Sequence, residues 1–229
     1  MFLRSEVCMR SLGAIFLADV VGYSKMMAQD ETNTLALLRS FTKEVIKPTL
    51  DKHSGTMIKS LGDGWLIEFK SASSAVSCAT DWQRISKDKG QIELRIGIHL
   101  GDVEHDEGPP PDVYGDTVNI AARLESIAEA GDVVISTSTY LCLDQKQAAP
   151  FNNCGKQTLK NIATPVEVWS TGRLNLGSGG MKRASEAPAI AVKPFSIGSD
   201  DLSSFSLAVT NELARYLDKK DWIDAIIQK

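Results

Sequence analysis

MIKSLGDGWLIEF, residues 57–69, reads as a β-hairpin with an acid at its tip. Trp65, Ile67 and Phe69 alternate with Leu66 and Glu68, the two-residue period of a strand with one buried face. Leu61-Gly62-Asp63-Gly64 reverses the chain, because glycine tolerates the positive φ that a tight turn demands. Lys59 stands on the incoming strand, just ahead of the turn. Taken alone, Asp63 is an ordinary turn residue and Lys59 an ordinary edge-strand charge. The rest of the chain decides whether either is more.

Working outward, residues 13–20 (GAIFLADV) form an apolar strand that closes on an acid, Asp19. Over 30–52, Leu35, Leu38, Phe41, Val45, Ile46 and Leu50 recur at helical spacing. A helix near 71–87 carries Ala72, Ala75, Val76, Ala79, Trp82 and Ile85. IELRIGIHLGDVEH (92–105) is a long strand and EGPPPD (107–112) a rigid loop. GDTVNIAARLESIAEA (115–130) is a helix stopped by Gly131, DVVIS (132–136) a strand, and short strands fall near 152–158 and 165–170. The order β-α-β-β-α-β predicts an α+β, ferredoxin-like split βαβ fold, an antiparallel sheet with helices on one face, over residues 11–172. Residues 173–188, rich in Gly, Ser and charge, read as a linker. Residues 189–229 follow as a partial βαβ segment, with a strand at AIAVKPF, a helix near 203–219 and a strand at WIDAII. That piece is too short to close its own sheet and is expected to open a further domain.

The 229 residues are 43% hydrophobic and 24% charged, which is ordinary for a soluble globular protein. A formal net charge of −4 with both signs interspersed argues against nucleic acid or an anionic membrane surface as the main partner. No apolar run approaches the ~20 residues that span a bilayer. The opening MFLRSEVCMRSLG lacks the long apolar region of a signal peptide, so a cytoplasmic protein is expected. Cys8, Cys78, Cys142 and Cys154 are far apart, without metal-knuckle spacing, and read as reduced thiols.

In the split βαβ plan the first strand and the central hairpin are sheet neighbours, so Asp19 and Asp63 can share one edge. Two facing carboxylates repel and raise a pKa unless a cation sits between them. Mg²⁺ needs only one or two carboxylates, completed by phosphate and water. Gly22-Tyr23-Ser24, after Asp19, supplies a flexible turn whose backbone N–H groups suit phosphate. A second cluster lies in PDVYGDTVNIAARLE, residues 111–125. Asn119 and Arg123 are one helical turn apart on one face, Ala121 and Ala122 allow close packing, and Asp112 precedes the helix after three prolines. A solvated polar stripe is the plain reading of such a helix; the guanidinium fork of Arg123 also matches phosphate.

FLADVVGYS, KSLGDGWLIEF, RIGIHLGDV and DVYGDTVNIAARLE, in that order and spacing, resemble the class III nucleotidyl (adenylate/guanylate) cyclase catalytic domain of bacterial type, over about residues 11–172. The resemblance implies a head-to-tail homodimer with two sites at its interface and two Mg²⁺ or Mn²⁺ ions per site. One chain would supply the metal ligands Asp19, Asp63 and the Val20 backbone carbonyl. The other would supply Lys59 and Asp112 to read the base, Asn119 to orient the ribose, and Arg123 to stabilise charge on the α-phosphate. Gly22, Tyr23 and Ser24 would meet the phosphates. LKNIATPVEVW resembles the family's closing hairpin, which makes Lys160 the candidate triphosphate contact; Asn161 stands where many relatives carry Gly. Lys59 can donate to adenine N1 and Asp112 can accept from its amine, so the implied reaction is ATP to cyclic AMP and pyrophosphate. Guanylate cyclase, or a silent nucleotide-binding regulatory module, are the alternatives. His99 reads as a packed, hydrogen-bonded histidine, and Asp102 and Asp116 as turn or capping residues. PAIAVKPF resembles the start of a TolB-type αβ module.

Overall fold

The central strand β1 (Met9–Val20) organises the fold. The structure, a computed structural model, describes residues 9–106, 112–172 and 174, together with the backbone of 189–192 and 224–227. After β1 come α1 (Tyr23–Gln29) and α2 (Glu31–Phe41), with the Asp30 carboxylate capping α2 by accepting from the Asn33 N–H at 2.9 Å. The path continues through a π-helical turn, Thr42–Ile46, into α3 (Lys47–His53). The sequence reads this stretch as one helix. Pro48 sits in the first turn of α3 and has no N–H for the regular i→i−4 bond, which accounts for the wider turn just before it.

The hairpin β2 (Gly55–Ser60) and β3 (Gly64–Phe69) follows, then α4 (Ala72–Lys89), β4 (Leu94–Asp106) and β5 (Asp112–Tyr114). Next come α5 (Asp116–Ile127), β6 (Val133–Ser136), the short α6 (Thr137–Tyr140) and α7 (Gln145–Ala148), β7 (Asn152–Gln157) and β8 (Val166–Ser170). The strand order is β2-β3-β1-β4-β6-β8-β7, with β5 paired to the far end of β4. β2, β3, β1 and β4 are antiparallel neighbours, the split βαβ core. The sheet is antiparallel except where β4 runs parallel to β6.

One expectation is corrected. Helices cover both faces, not one. Ala14, Phe16, Ala18 and Val20 of β1 pack with α2–α4 residues such as Phe41, Val45, Leu50 and Trp82. Ile15 and Leu17, pointing the other way, pack with Leu66, Val103, Val113 and Ala121 of α5. Leu66 is therefore buried alongside Trp65, Ile67 and Phe69, and β3 has no solvated face. The helix expected to run to Ala130 ends at Ile127, because Ala128 turns extended.

The chain divides into two compact units, Met1–Asn175 and Leu176–Lys229. In the second, β9 (Ala189–Val192) pairs in parallel with β10 (Asp224–Ile227). The expected linker, apart from Leu174, and the expected helix at 203–219 lie outside the described residues, as does EGPPPD apart from Asp112. Among the described residues no helix is long and apolar enough to cross a membrane. Cys78, Cys142 and Cys154 are free thiols, and Cys8 lies outside the described residues.

Candidate active site

Strand register alone brings Asp19 and Asp63 together. Asp19 pairs with Gly64 on β3, and the next residue, Val20, donates its N–H to the Asp63 carbonyl at 3.1 Å. Gly62 takes φ 85° to close the turn, a conformation that glycine adopts without a Cβ penalty. Burial raises the pKa of Asp63; a hydrogen bond from its own backbone partly offsets this, and the charge of Asp19 adds to the rise. The oxygens that could hold a cation here are the two carboxylates and the backbone carbonyl of Val20, all hard oxygens. Among the described residues no cluster of three or more His, Cys, Asp or Glu is placed to hold a metal. Such an open edge fits an ion that keeps water and substrate phosphate in its shell, as Mg²⁺ does.

Two residues that the sequence reading passed over complete this edge. Arg95 on β4 is the direct cross-strand partner of Asp19. Its Nε donates to Asp19 Oδ1 at 3.0 Å, and its Nη2 donates to Oδ2. Glu125, on α5, lies 3.3 Å from the same Nε. Burial first, and then the charge of Asp19, push the Glu125 carboxyl well above the usual carboxylate range. α5 reaches the sheet here because Gly97 of β4 has no side chain: a Cβ there would stand 2.2 Å from the Glu125 nitrogen. A signal for both existed in the sequence. Arg95 interrupts the apolar opening of its strand, between Leu94 and Ile96, and Glu125 sits one helical turn after Ala121.

The second group is built on β2, β5 and α5. The β2–β3 register shifts between Met57 and Lys59, a bulge of the kind that re-aims a side chain. Lys59 then donates to the Asp112 carboxylate at the start of β5. Burial would raise the Asp112 pKa, but Lys59, the Val113 N–H at 2.9 Å and the Tyr114 hydroxyl together hold it below its ordinary value. Asp112 is 8% exposed, so these partners compensate its desolvation. Within one chain Asp19 pairs with Arg95, and Asp112 pairs with Lys59.

Asn119 is exposed one turn ahead of Arg123 on α5. The Arg123 Nε donates to the Lys160 carbonyl at 3.2 Å, so the turn before β8 is tied to α5. Asn161 adopts φ 62°, the left-handed conformation in which Asn substitutes for Gly at modest cost. Gly22 precedes α1 with φ 70°; Tyr23 packs partly against the core, and Ser24 is exposed. His99 is packed as expected, its Nδ1 2.7 Å from Ser136 Oγ, and burial lowers its pKa to about 4. Asp116 opens α5, but Asp102 lies inside β4 rather than in a turn, where its carbonyl accepts from Thr117 Oγ1.

A family model described as the adenylate and guanylate cyclase catalytic domain matches residues 10–171. The putative adenylate cyclase 3 of Rhizobium meliloti (strain 1021) is 37% identical over 200 residues, covering 84% of this chain and 32% of that protein. The receptor-type adenylate cyclase A of Leishmania donovani is 26% identical and only 15% of it is covered, so the chain spans a third or less of these relatives. A crystal structure described as an adenylate/guanylate cyclase/hydrolase from Silicibacter pomeroyi superposes with a TM-score of 0.65 at 35% identity, over 71% of this chain and 97% of that one. The adenylyl cyclase CyaB from P. aeruginosa shares the fold, with a TM-score of 0.62 at 24% identity over 71% and 94% of the two chains. With the split βαβ core and the acids of β1 and the hairpin tip meeting at one edge, these matches identify the chain as a member of the adenylate and guanylate cyclase catalytic-domain family.

Proposed function

We propose that the protein is an adenylate cyclase that converts ATP to 3′,5′-cyclic AMP and pyrophosphate. The observation that carries the choice of base is the Lys59–Asp112 pair, a donor and an acceptor held side by side. Adenine offers N1 as an acceptor and its amine as a donor, which matches them. Guanine offers N1–H and a carbonyl, which would oppose donor to donor and acceptor to acceptor, a large discrimination in a buried site.

In the reaction the ribose 3′-oxygen forms a bond to the α-phosphorus, the bond to the bridging oxygen of pyrophosphate breaks, and the 3′-hydroxyl proton departs. Bound at Asp19, Asp63 and the Val20 carbonyl, Mg²⁺ or Mn²⁺ would activate the attacking oxygen and offset charge on the leaving one. Asn119 holds the ribose, Arg123 stabilises charge developing on the α-phosphate, and Lys160 with the Gly22–Ser24 backbone meets the remaining phosphates. We assign two ions per site.

We infer a site shared by two chains in a head-to-tail homodimer, each chain giving one group to each site; the pairing of Asp19 with Arg95 and of Lys59 with Asp112, on different elements, supports this reading. We place this dimer in the cytoplasm and read the segment from residue 189 onward as an αβ segment. The test is direct: purified protein with ATP or GTP and each metal, products identified by mass. Cyclic AMP from ATP is expected; a product from GTP alone would reassign the base, and none from either would leave a nucleotide-binding module.

A further inference from the structure

The Asp19 edge contains a cation already, and it is the protein's own. Arg95 binds the Asp19 carboxylate through two nitrogens, one on each oxygen. Asp19 and Arg95 are paired residues of adjacent strands, so backbone pairing keeps the guanidinium at hand. A divalent ion that takes Asp19 as a ligand must therefore share this carboxylate or displace Arg95 from it.

Glu125 offers the place to go. The Arg95 Nε that donates to Asp19 at 3.0 Å is only 3.3 Å from Glu125 Oε1. That oxygen is buried and has no hydrogen-bond partner. Glu125 cannot withdraw, because α5 is pressed against β4 at Gly97, where even a Cβ would strike the Glu125 backbone at 2.2 Å. A buried acceptor without a hydrogen bond is costly, and so is a half-buried guanidinium without a carboxylate. Passing Arg95 from one acid to the other avoids both.

We propose that Arg95 is a positioning residue that occupies the cation side of Asp19 and is handed to Glu125 when a divalent cation binds. The inference rests on Asp19 being a cation ligand. Its two consequences are opposite in sign. Arg95 lowers cation affinity in the absence of nucleotide by competing for Asp19. Glu125 raises it by receiving the competitor.

The experiment is a Mn²⁺ titration of the full chain without nucleotide, with free Mn²⁺ read by electron paramagnetic resonance. Arg95→Gln should bind Mn²⁺ roughly three- to tenfold more tightly, the scale of a partly exposed ion pair removed as competitor. Arg95→Lys, which keeps the charge but loses the two-point contact, should fall between, and serves if the glutamine variant folds poorly. Glu125→Gln should bind more weakly by a similar factor, and adding it to Arg95→Gln should change nothing further. Unchanged or weaker binding in Arg95→Gln, or a Glu125→Gln penalty that persists without Arg95, overturns the exchange. Asp19→Asn separates the two failures. If it binds as wild type does, the cation is not at Asp19 and both readings fall. If it loses binding while Arg95→Gln matches wild type, only the exchange falls.

Discussion

The two faces of the central sheet are built from alternate residues of the same strands, yet they have different work. On one, Phe16, Trp65, Phe69 and Trp82 are at most 1% exposed and form a single aromatic core under α2–α4, with Phe16 and Trp82 edge-to-face at 5.0 Å. On the other, a smaller apolar patch around Ile15, Leu17 and Val113 is bordered by charge: Asp19 with Arg95 and Glu125 at one end, Lys59 with Asp112 beside β5. The first face is held by apolar packing. The second keeps buried or half-buried charges that folding by itself does not need. Stability is concentrated on one side and the candidate chemistry on the other. The division predicts that mutations on the two faces fail in different ways.

The largest effect is expected at the sheet edge. Asp19→Ala or Asp63→Ala should reduce cyclic nucleotide formation by roughly 10³-fold or more, since each removes a hard-oxygen ligand and no core packing. Both variants should remain folded, although Asp19→Ala also removes the ion-pair partner of Arg95. Activity within a few-fold of wild type in either variant breaks the division at once. Mixing inactive Asp63→Ala and Arg123→Ala chains sharpens it: shared sites would leave one intact site per heterodimer and restore a fraction of activity. Heterodimers that form and remain inactive would mean that each site lies within one chain.

Next in size is base choice. Lys59→Glu with Asp112→Cys replaces a donor by an acceptor and removes the acceptor that repels the guanine carbonyl. The ATP-to-GTP ratio of kcat/KM should fall by about 10⁴, the scale on which buried polar sites reject a mismatched partner. Metal dependence should not change. Retention of ATP preference in the double variant would remove Lys59 and Asp112 from base reading.

On the aromatic face the sign of the failure reverses. Trp82 is fully buried against Phe16 and Trp65, and its indole N–H donates to Thr49 Oγ1. Trp82→Ala should cost about 3–5 kcal/mol in a denaturant melt, with the ATP-to-GTP ratio of the protein that remains folded unchanged. A shift in that ratio would show that the faces are coupled.

The smallest effect concerns an ion pair beneath the same face. Hydrogen bonds from Lys52 and then His53 hold the Asp81 carboxyl down to about 2. A depressed acid stabilises the fold above its unfolded pKa and loses that contribution as pH falls, here between about 4 and about 2. Lys52 is 63% exposed, so solvent screening leaves about 1 kcal/mol. Asp81→Asn should be destabilised by that amount at neutral pH and should converge with wild type near pH 2. A constant gap across the titration would assign the effect to packing.

Much of this was legible in the chain as written. The hairpin declares itself through alternation and a glycine-bracketed acid, and β1 through an apolar run closed by Asp19. The split βαβ order then makes the two acids neighbours before any coordinate is known. Those features are local or follow from strand order, and a sequence carries both directly. The second helical face was not legible, because Leu66 and Ile15 read equally well against solvent or against α5, and only the return of α5 over Gly97 covers them. Nor was the Lys59 bulge, which no glycine or proline announces. Arg95 and Glu125 stand 30 residues apart on different elements, and each alone is an ordinary charge. Composition and spacing along the chain determined which elements form and which acids share an edge. Only the tertiary structure decided which charge answers which, because pairing and desolvation depend on distances across the fold.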